Sequence, residues 1–556
     1  MRTRVRELIE IGDKLFKTRE RFTKTCQAIA EQLYPERADF VSAVTSGEEI
    51  GADLVTGTPV MARRDLADAL SAMLRPREKA WFHAHALNEH INKDATAKQF
   101  FDRMTEVMRN HMYAKPAQFI RATKQGDNDF ATFGQCVIEA SPNRNLDGLL
   151  FRPWHLRDVA WCENAELAID TVHRNWKPEI RVLCRMFGDK VHASVKEMHT
   201  KEPGKEINCR HIVVPAEDYD YSDKTRKRRA SDQFVSIFID CENDTIMEEK
   251  YVRRIRYIIP RWVTLSGSQY AISPGAVIAY RDARLLQQMT LTLLEVGEKV
   301  VDPPSVGVAE AIQGGINLYA GGHTWIDSEY DERSGDVLRY MPIDAKGLNF
   351  GIEREQMVMQ AIHKALYLDR ISVPYPQGDM TATEYRGRVE EYIRRALPLF
   401  EPMEVEYNGG ICEETFDLLL GMGAFGSPAD WPEIVRGQDL RWSFESPLQA
   451  ATERSKSQAF IDTTQLLKTA MELDPSVRFD VSISKGFRDA VPGTGAPAEW
   501  LVPEEEANQA RAQQAEIDQA QQAAAAMAQS SELVGQAGDA AARLGAGAQQ
   551  MDAAGA

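Results

Sequence analysis

Few side chains in this sequence sit at spacings that chemistry uses. Gly421-Met422-Gly423-Ala424-Phe425-Gly426 has the glycine pattern of a dinucleotide-binding turn. Such a turn needs a strand before it and a helix behind it, so that the helix N-terminus meets the pyrophosphate. Ser427-Pro428 and Trp431-Pro432 follow instead, and they break any such helix, so a flexible turn without a cofactor is expected. His83, His85 and His90 cluster around Glu89. His83 and His85 stand two apart, which fits no zinc-ligand template, and surface or interface histidines are expected. No GxxxxGKS/T phosphate loop, GxSxG or HExxH occurs, which argues against a P-loop ATPase. Carboxylates are too plentiful for any pair to be singled out as a nuclease or glycosidase site.

Two basic runs stand out. Residues 224–229 (KTRKRR) lie between strand-like runs and read as a solvated loop, with a phosphate contact as the alternative. Arg253, Arg254 and Arg256 lie in YVRRIRYIIPRWV, where strand alternation would put Arg254 and Arg256 on one face and Arg253 on the other. A salt-bridged or intersubunit role competes there with a nucleic-acid contact. The seven cysteines, at 26, 136, 162, 184, 209, 241 and 412, include no CxxC pair, so reduced and mostly buried thiols are expected.

Against a formal charge of −17, a surface-wide grip on DNA is excluded, because static duplex binders gain affinity from lysines and arginines on phosphates. The chain could still surround DNA without holding it. No apolar run approaches the ~20 residues of a membrane span. MRTRVRELIEIGDKLF lacks the apolar core of a secretory signal, so a protein kept in a cytosol is expected.

With 556 residues, two to four domains are expected. Residues 5–33, 60–74, 96–113 and 116–129 carry helical periodicity and form an α-helical block. Residues 130–270 read as short strands and turns around one helical piece, a mixed, β-rich domain. Ser273-Pro274-Gly275 then opens a helix that Pro303-Pro304 stops, a Gly-rich strand-like insert follows, and a second helix begins near Asn349. A Pro-broken segment leads to a third helix at Thr381, started by a capping box with Glu384 and carrying Val389, Ile393 and Leu397. Leu285, Met289, Leu293, Val296 and Val300 form a stripe on the first of these helices, broadened by Leu286 and Leu294; Met359, Ile362 and Leu366 form one on the second. By periodicity alone such stripes are ordinary core. Residues 450–473 and 474–490 are again helical, and from Glu504 an Ala/Gln-rich helix former ends in a Gly/Ala tail with little to bury.

Several blocks, in consistent order over about residues 8–514, resemble the head-to-tail connector, or portal, family of short-tailed bacteriophages. They are FATFGQCVIEASP, PGAVIAYRDARLLQQMTLTLLE with its VVDPP exit, MTATEYRGRVEEY, FESPLQAATERSKSQAF and GTGAPAEWLVPEEEANQARAQQ. The resemblance implies an α+β portal fold with a mainly helical C-terminal region. Its parts would be the N-terminal helical wing (1–129), the β-rich wing (130–272), stem helix 1 (273–301), the clip (302–348), stem helix 2 (349–369), the channel loop (370–380), a long helix returning to the wing (381–445), the crown (446–503) and the C-terminal helix and tail (504–556).

The same resemblance implies a ring of about twelve subunits at a capsid vertex. Double-stranded DNA would pass through it during packaging and ejection. The terminase large subunit, a tail adaptor, and scaffolding and major capsid proteins would be partners, and the protein would sit in the virion after assembly in the host cytoplasm. Candidate channel-loop residues are Arg370, Tyr375, Gln377 and Asp379; candidate clip-docking residues are Asp331, Glu332 and Arg333. Leu285, Met289, Leu293 and Val296 are the candidate stem-packing residues. No cofactor and no catalysis are implied. An acidic channel fits a polymer that must pass without being held. The competing readings are a DNA-processing enzyme, such as a nuclease packaged with the genome, and another tail or adaptor structural protein.

Overall fold

The computed structural model describes residues 2–41, 49–77, 80–220, 231–301, 346–371, 403–444 and 447–474, short pieces between 303 and 340, residue 391, and scattered positions from 476 to 521. The chain divides into two compact units, Met1–Leu448 and Gln449–Ala556.

The first unit opens with α1 (Arg2–Thr18) and α2 (Glu20–Leu33), where the sequence pattern reads as one helix. The break is at Arg19, which is 3% exposed. Its guanidinium donates to the carbonyls of Leu156, Arg157 and Val159, and a buried cation needs such acceptors. After α3 (Thr58–Leu74) comes a short strand, β1 (Phe82–Ala86), inside the block expected to be wholly helical. Its partner is far along the chain: β16 (Leu440–Phe444) pairs with it antiparallel, Phe82 opposite Phe444. Helices α4 (Ala95–Tyr113) and α5 (Phe119–Phe133) follow, and α5 runs four residues into the stretch expected to be β.

Two antiparallel sheets come next. The smaller has order β3-β2-β9, from β2 (Val137–Pro142), β3 (Leu149–Trp154) and β9 (Tyr257–Ile258). The larger runs β4-β5-β6-β7-β8, from β4 (Val159–Glu163), β5 (Ile169–Trp176), β6 (Cys209–Pro215), β7 (Phe234–Asp240) and β8 (Thr245–Val252). Each face of the larger sheet is closed by helix. Val5 and Leu8 of α1 pack with Ile212, Val235 and Ile237. Ile180 and Leu183 of α6 (Ile180–Phe187) and Val195 of α7 (Ala193–Lys201) pack with Cys209 and Met247. A short α8 (Ala216–Asp220) ends β6.

The expected strand through Arg253–Arg256 is absent. β8 stops at Val252, and Arg256 has φ +66°, which ends the alternation and turns all three arginines toward one helix, α12 (Gly410–Met422). Arg253 Nε lies 3.2 Å from Asp417, Arg256 Nη2 3.2 Å from Asp417, and Arg254 pairs with Glu413 and, at 3.3 Å, Glu414. The salt-bridged alternative therefore holds, in place of the two-faced strand. Burial pushes the Glu414 carboxyl up to about 7 against the pull of Arg256 and Arg254. A π-helix, Glu404–Gly409, leads into α12. The Gly421–Gly426 pattern is the end of α12: Gly423 (φ +75°) caps the helix and Gly426 (φ +79°) completes the turn. A helix precedes it where a dinucleotide site would need a strand.

The hairpin β10 (Val263–Thr264) and β11 (Ala271–Ile272) runs directly into α9 (Pro274–Val301). Between α9 and α10 (Lys346–Ala365) the described pieces are two antiparallel pairs. β12 (Ser305–Gly307) pairs with β15 (Leu338–Tyr340), and β13 (Ile312–Gln313) with β14 (Trp325–Ile326), matching the strand-like insert read from the sequence. A short α11 (Leu368–Ile371) follows α10. In the second unit, α13 (Pro447–Leu473) and α14 (Ile483–Ala490) meet through Phe460 and Phe487, 6.3 Å apart, and Ser457 Oγ donates to Ala490 O.

All seven cysteines are free, four of them buried. His83 and His85 lie on β1 with rings 6.5 Å apart, and His85 Nε2 is 2.8 Å from Ser443 Oγ across the β1–β16 pair. Burial, then the neighbouring His83, pushes the His85 pKa down.

Candidate stem interface

The helix start at Ser273 is built from two close approaches. Ser273 Oγ donates to Ala131 O at 2.8 Å and accepts from Ala276 N, so the first turn of α9 is tied to the end of α5. Gly134 (φ +75°) has the Ile272 backbone 2.2 Å from where a Cβ would stand, and only glycine fits. Gly275 likewise admits the Ala365 carbonyl at 2.6 Å, bringing the end of α10 onto the start of α9.

Along the first half of α9 the buried side chains are small: Ala276, Ala279 and Ala283, followed by Leu286. They lie in one core with Val358, Ile362 and Leu366 of α10. Small residues at helical spacing let two helices approach, and the larger partners fill the groove. Gln287, 8% exposed, closes this root. Its Oε1 accepts from Val55 N (2.8 Å) and Thr56 N (2.9 Å), and its Nε2 donates to Thr56 O (2.8 Å). Further out, the Thr290 hydroxyl donates to the Glu355 carboxylate, and Gly351 leaves room for the Leu293 side chain. Two residues past α10 stands Tyr367 (φ +59°), whose ring lies 6.3 Å from Trp262 and carries Arg370 at 5.4 Å.

Beyond Gln287 no residue of α9 is buried. Of the four expected packing residues, Met289, Leu293 and Val296 are half-buried on the side toward α10, whereas Leu285 is 47% exposed and Leu286 takes the buried place. Several apolar side chains stand in solvent: Ile278, Leu285, Leu291 and Leu294 on α9, and Phe350 (71% exposed) and Met357 (59%) on α10. At about 100° per residue, Arg281, Arg284, Gln288 and Glu295 form a polar stripe on α9 opposite its buried face. Ile278 and Leu285 flank that stripe on one side, Leu291 and Leu294 on the other. The flanks differ in sequence, and each leaves an unfilled apolar edge.

The alanine root, Gln287 and Gly351 were not singled out from sequence, although their signals are there: alanines three and four apart, and one amide inside an apolar stripe. Arg370 is in α11. Tyr375, Gln377 and Asp379, the docking candidates Asp331, Glu332 and Arg333, the basic run 224–229 and, apart from residue 391, the third helix expected from Thr381 lie outside the described residues. Among the described residues no helix is long and apolar enough to cross a membrane, and no three His, Cys, Asp or Glu side chains are grouped to hold a metal ion.

Comparisons with known proteins bear on what this geometry is for. The probable portal protein of Bordetella phage BPP-1 is 23% identical over 535 residues, covering 95% of this chain and 93% of that protein. The portal protein of Salmonella phage epsilon15 is 19% identical over 511 residues, covering 89% and 88%. Among solved structures, a chain from the virion of a native gene transfer agent particle aligns over 74% of this chain and 86% of its own, at 8% identity and a TM-score of 0.34. The family model for bacteriophage head to tail connecting protein matches residues 5–502, from α1 to beyond α14. The chain belongs to that family of bacteriophage head-to-tail connecting proteins.

Proposed function

We propose that this protein is the portal subunit of a phage, a ring of identical copies through which DNA enters and leaves the capsid. The observation that carries the reading is the α9–α10 pair: closed at its root by the subunit's own core, and open further out along two different apolar flanks. Two different patches that meet each other on identical copies make a heterologous interface, which forms a ring where the rotation between copies closes. A polar stripe between the flanks remains free for water. The net charge of −17 suits a channel that lets a polyanion slide, since phosphate grips would have to be broken at each step.

In this reading, residues 1–272 form the wing, 273–301 and 349–369 the stem, 302–348 the clip, 370–380 the channel loop and 446–503 the crown. The clip meets the terminase large subunit and later the tail adaptor, and the terminase supplies the ATP-driven step. The portal itself performs no chemistry. It occupies the capsid vertex in the virion, where scaffolding and major capsid proteins assemble around it.

Light scattering on the purified protein tests this. The expected mass is about twelve subunits, with images showing a broad ring on a narrower stalk with an open centre. A strictly monomeric species under all assembly conditions overturns it.

A further inference from the structure

We propose that neighbouring copies lock at the level of the wing by a leucine-tipped acidic turn entering a basic-rimmed apolar pocket of the next copy. This rests on the ring reading above and names a second, separate contact within it.

The turn joins β4 to β5. Leu167 is 69% exposed and stands at φ +62°. A non-glycine residue in that region costs on the order of 1 kcal/mol or more, and a large apolar side chain in water adds nothing in return. The turn is nevertheless firmly built. Asn164 Oδ1 accepts from Glu166 N (2.9 Å) and Ala168 N (3.0 Å), and Asn164 N donates to Ala168 O (2.9 Å). Arg261 braces it from below, donating to Leu167 O at 3.2 Å while pairing with Glu163 and Glu406. Arg261 is shared between Glu163 and Glu406, and the exposed carboxylate at the tip is Glu166. The protein holds one leucine out, beside one carboxylate, on a rigid mount.

The complement lies along α5 and the turn before it. A cavity of about 570 Å³ has Met112, Tyr113 and Phe119 among its lining, with Lys115, Arg121 and Lys124 around it. Met112 and Phe119 are buried, and the basic side chains are exposed. Lys124 reaches Asp68 only at 3.7 Å. An apolar floor with cationic edges fits an apolar side chain carrying a carboxylate, which is the Glu166–Leu167 tip. Charge complementarity of this kind sets register between partners.

Placement supports the same assignment. Phe119 and Arg121 are in the first turn of α5, whereas its last residues lead to Gln135, which bridges to Arg261 and so to the Leu167 turn. Neither Arg261 nor any residue of the Leu167 turn lines this pocket, so the subunit does not fill it with its own tip, as head-to-tail contact between copies requires.

Leu146 provides the control. It has the same φ, +62°, and is 71% exposed, on the β2–β3 turn, but Arg144 and Asp147 flank it and leave that tip without net charge. The measurement is the concentration at which half the full-length protein is in rings, by sedimentation or mass photometry, alongside thermal unfolding of the subunit. Leu167→Asp is expected to raise that concentration at least about tenfold, with the subunit melting unchanged. Glu166→Arg and Arg121→Glu, both at exposed positions, each raise it, and the double variant recovers most of the loss. Leu146→Asp leaves it unchanged. Leu167→Asp rings forming at the wild-type concentration, an equal effect of Leu146→Asp, or no recovery in the double variant overturns the contact. If the wild-type protein itself makes no rings, the portal reading fails instead, before any variant is compared.

Discussion

The two halves of α9 have similar polarity in sequence and opposite situations in the subunit. From Pro274 to Gln287 the helix is held on several sides: by the α5 terminus through Ser273, by α10 through the alanines and Gly275, and by the 55–56 backbone through Gln287. From Gln288 to Val301 it has α10 on one side and solvent on the others, although Leu291, Leu293, Leu294 and Val296 are larger and more apolar than the alanines behind them. The lesson is that burial within one chain and apolar character have come apart along this helix. The first half is written for packing inside the subunit, and the second for packing that the subunit alone does not supply.

That contrast can be broken by substitution, and the largest effect belongs to the root. Ala283→Asp places an unpaired charge in the core shared with Ile362 and Leu366, and should destabilise the isolated subunit by at least about 3 kcal/mol. Denaturant unfolding measures it; a loss under about 1 kcal/mol would mean the root is not packed as described. Gln287→Ala is intermediate. It leaves Val55 N and Thr56 N without their acceptor and should cost about 2 kcal/mol, read in the same unfolding experiment. The smallest effect on the subunit, and the most informative, is that of Leu294→Asp. Its change in subunit stability should stay within about 0.5 kcal/mol, while ring formation measured by light scattering falls sharply. Equal ring formation would show that this flank meets nothing.

The limits of α9 were legible because Ser273-Pro274 and Pro303-Pro304 punctuate it chemically, and the insert and second helix followed from glycine content and period. What failed did so for tertiary reasons. The strand β1 was hidden because FHAHA is short and its ladder partner, β16, lies at the far end of the first unit. The break at Arg19 depends on three carbonyls more than a hundred residues away, and the turn at Arg256 on carboxylates of α12. One position of the expected packing face differs: Leu285 and Leu286 are indistinguishable by hydropathy, and only the position of α10 decides which is inside. The stripe was recognised, but its division into an inner face and two outer flanks is not contained in periodicity.

Gln287 also has a mechanical consequence. With three hydrogen bonds to two consecutive residues, it welds α9 to the short segment that enters α3, and α3 is a strut of about 25 Å. At the far end of that strut, Arg75 grips Asp127 of α5 and Asn408 of the π-helix. Force along α9 thus has a stiff path through the body of the subunit, ending at the π-helix, an irregular turn of backbone on that route.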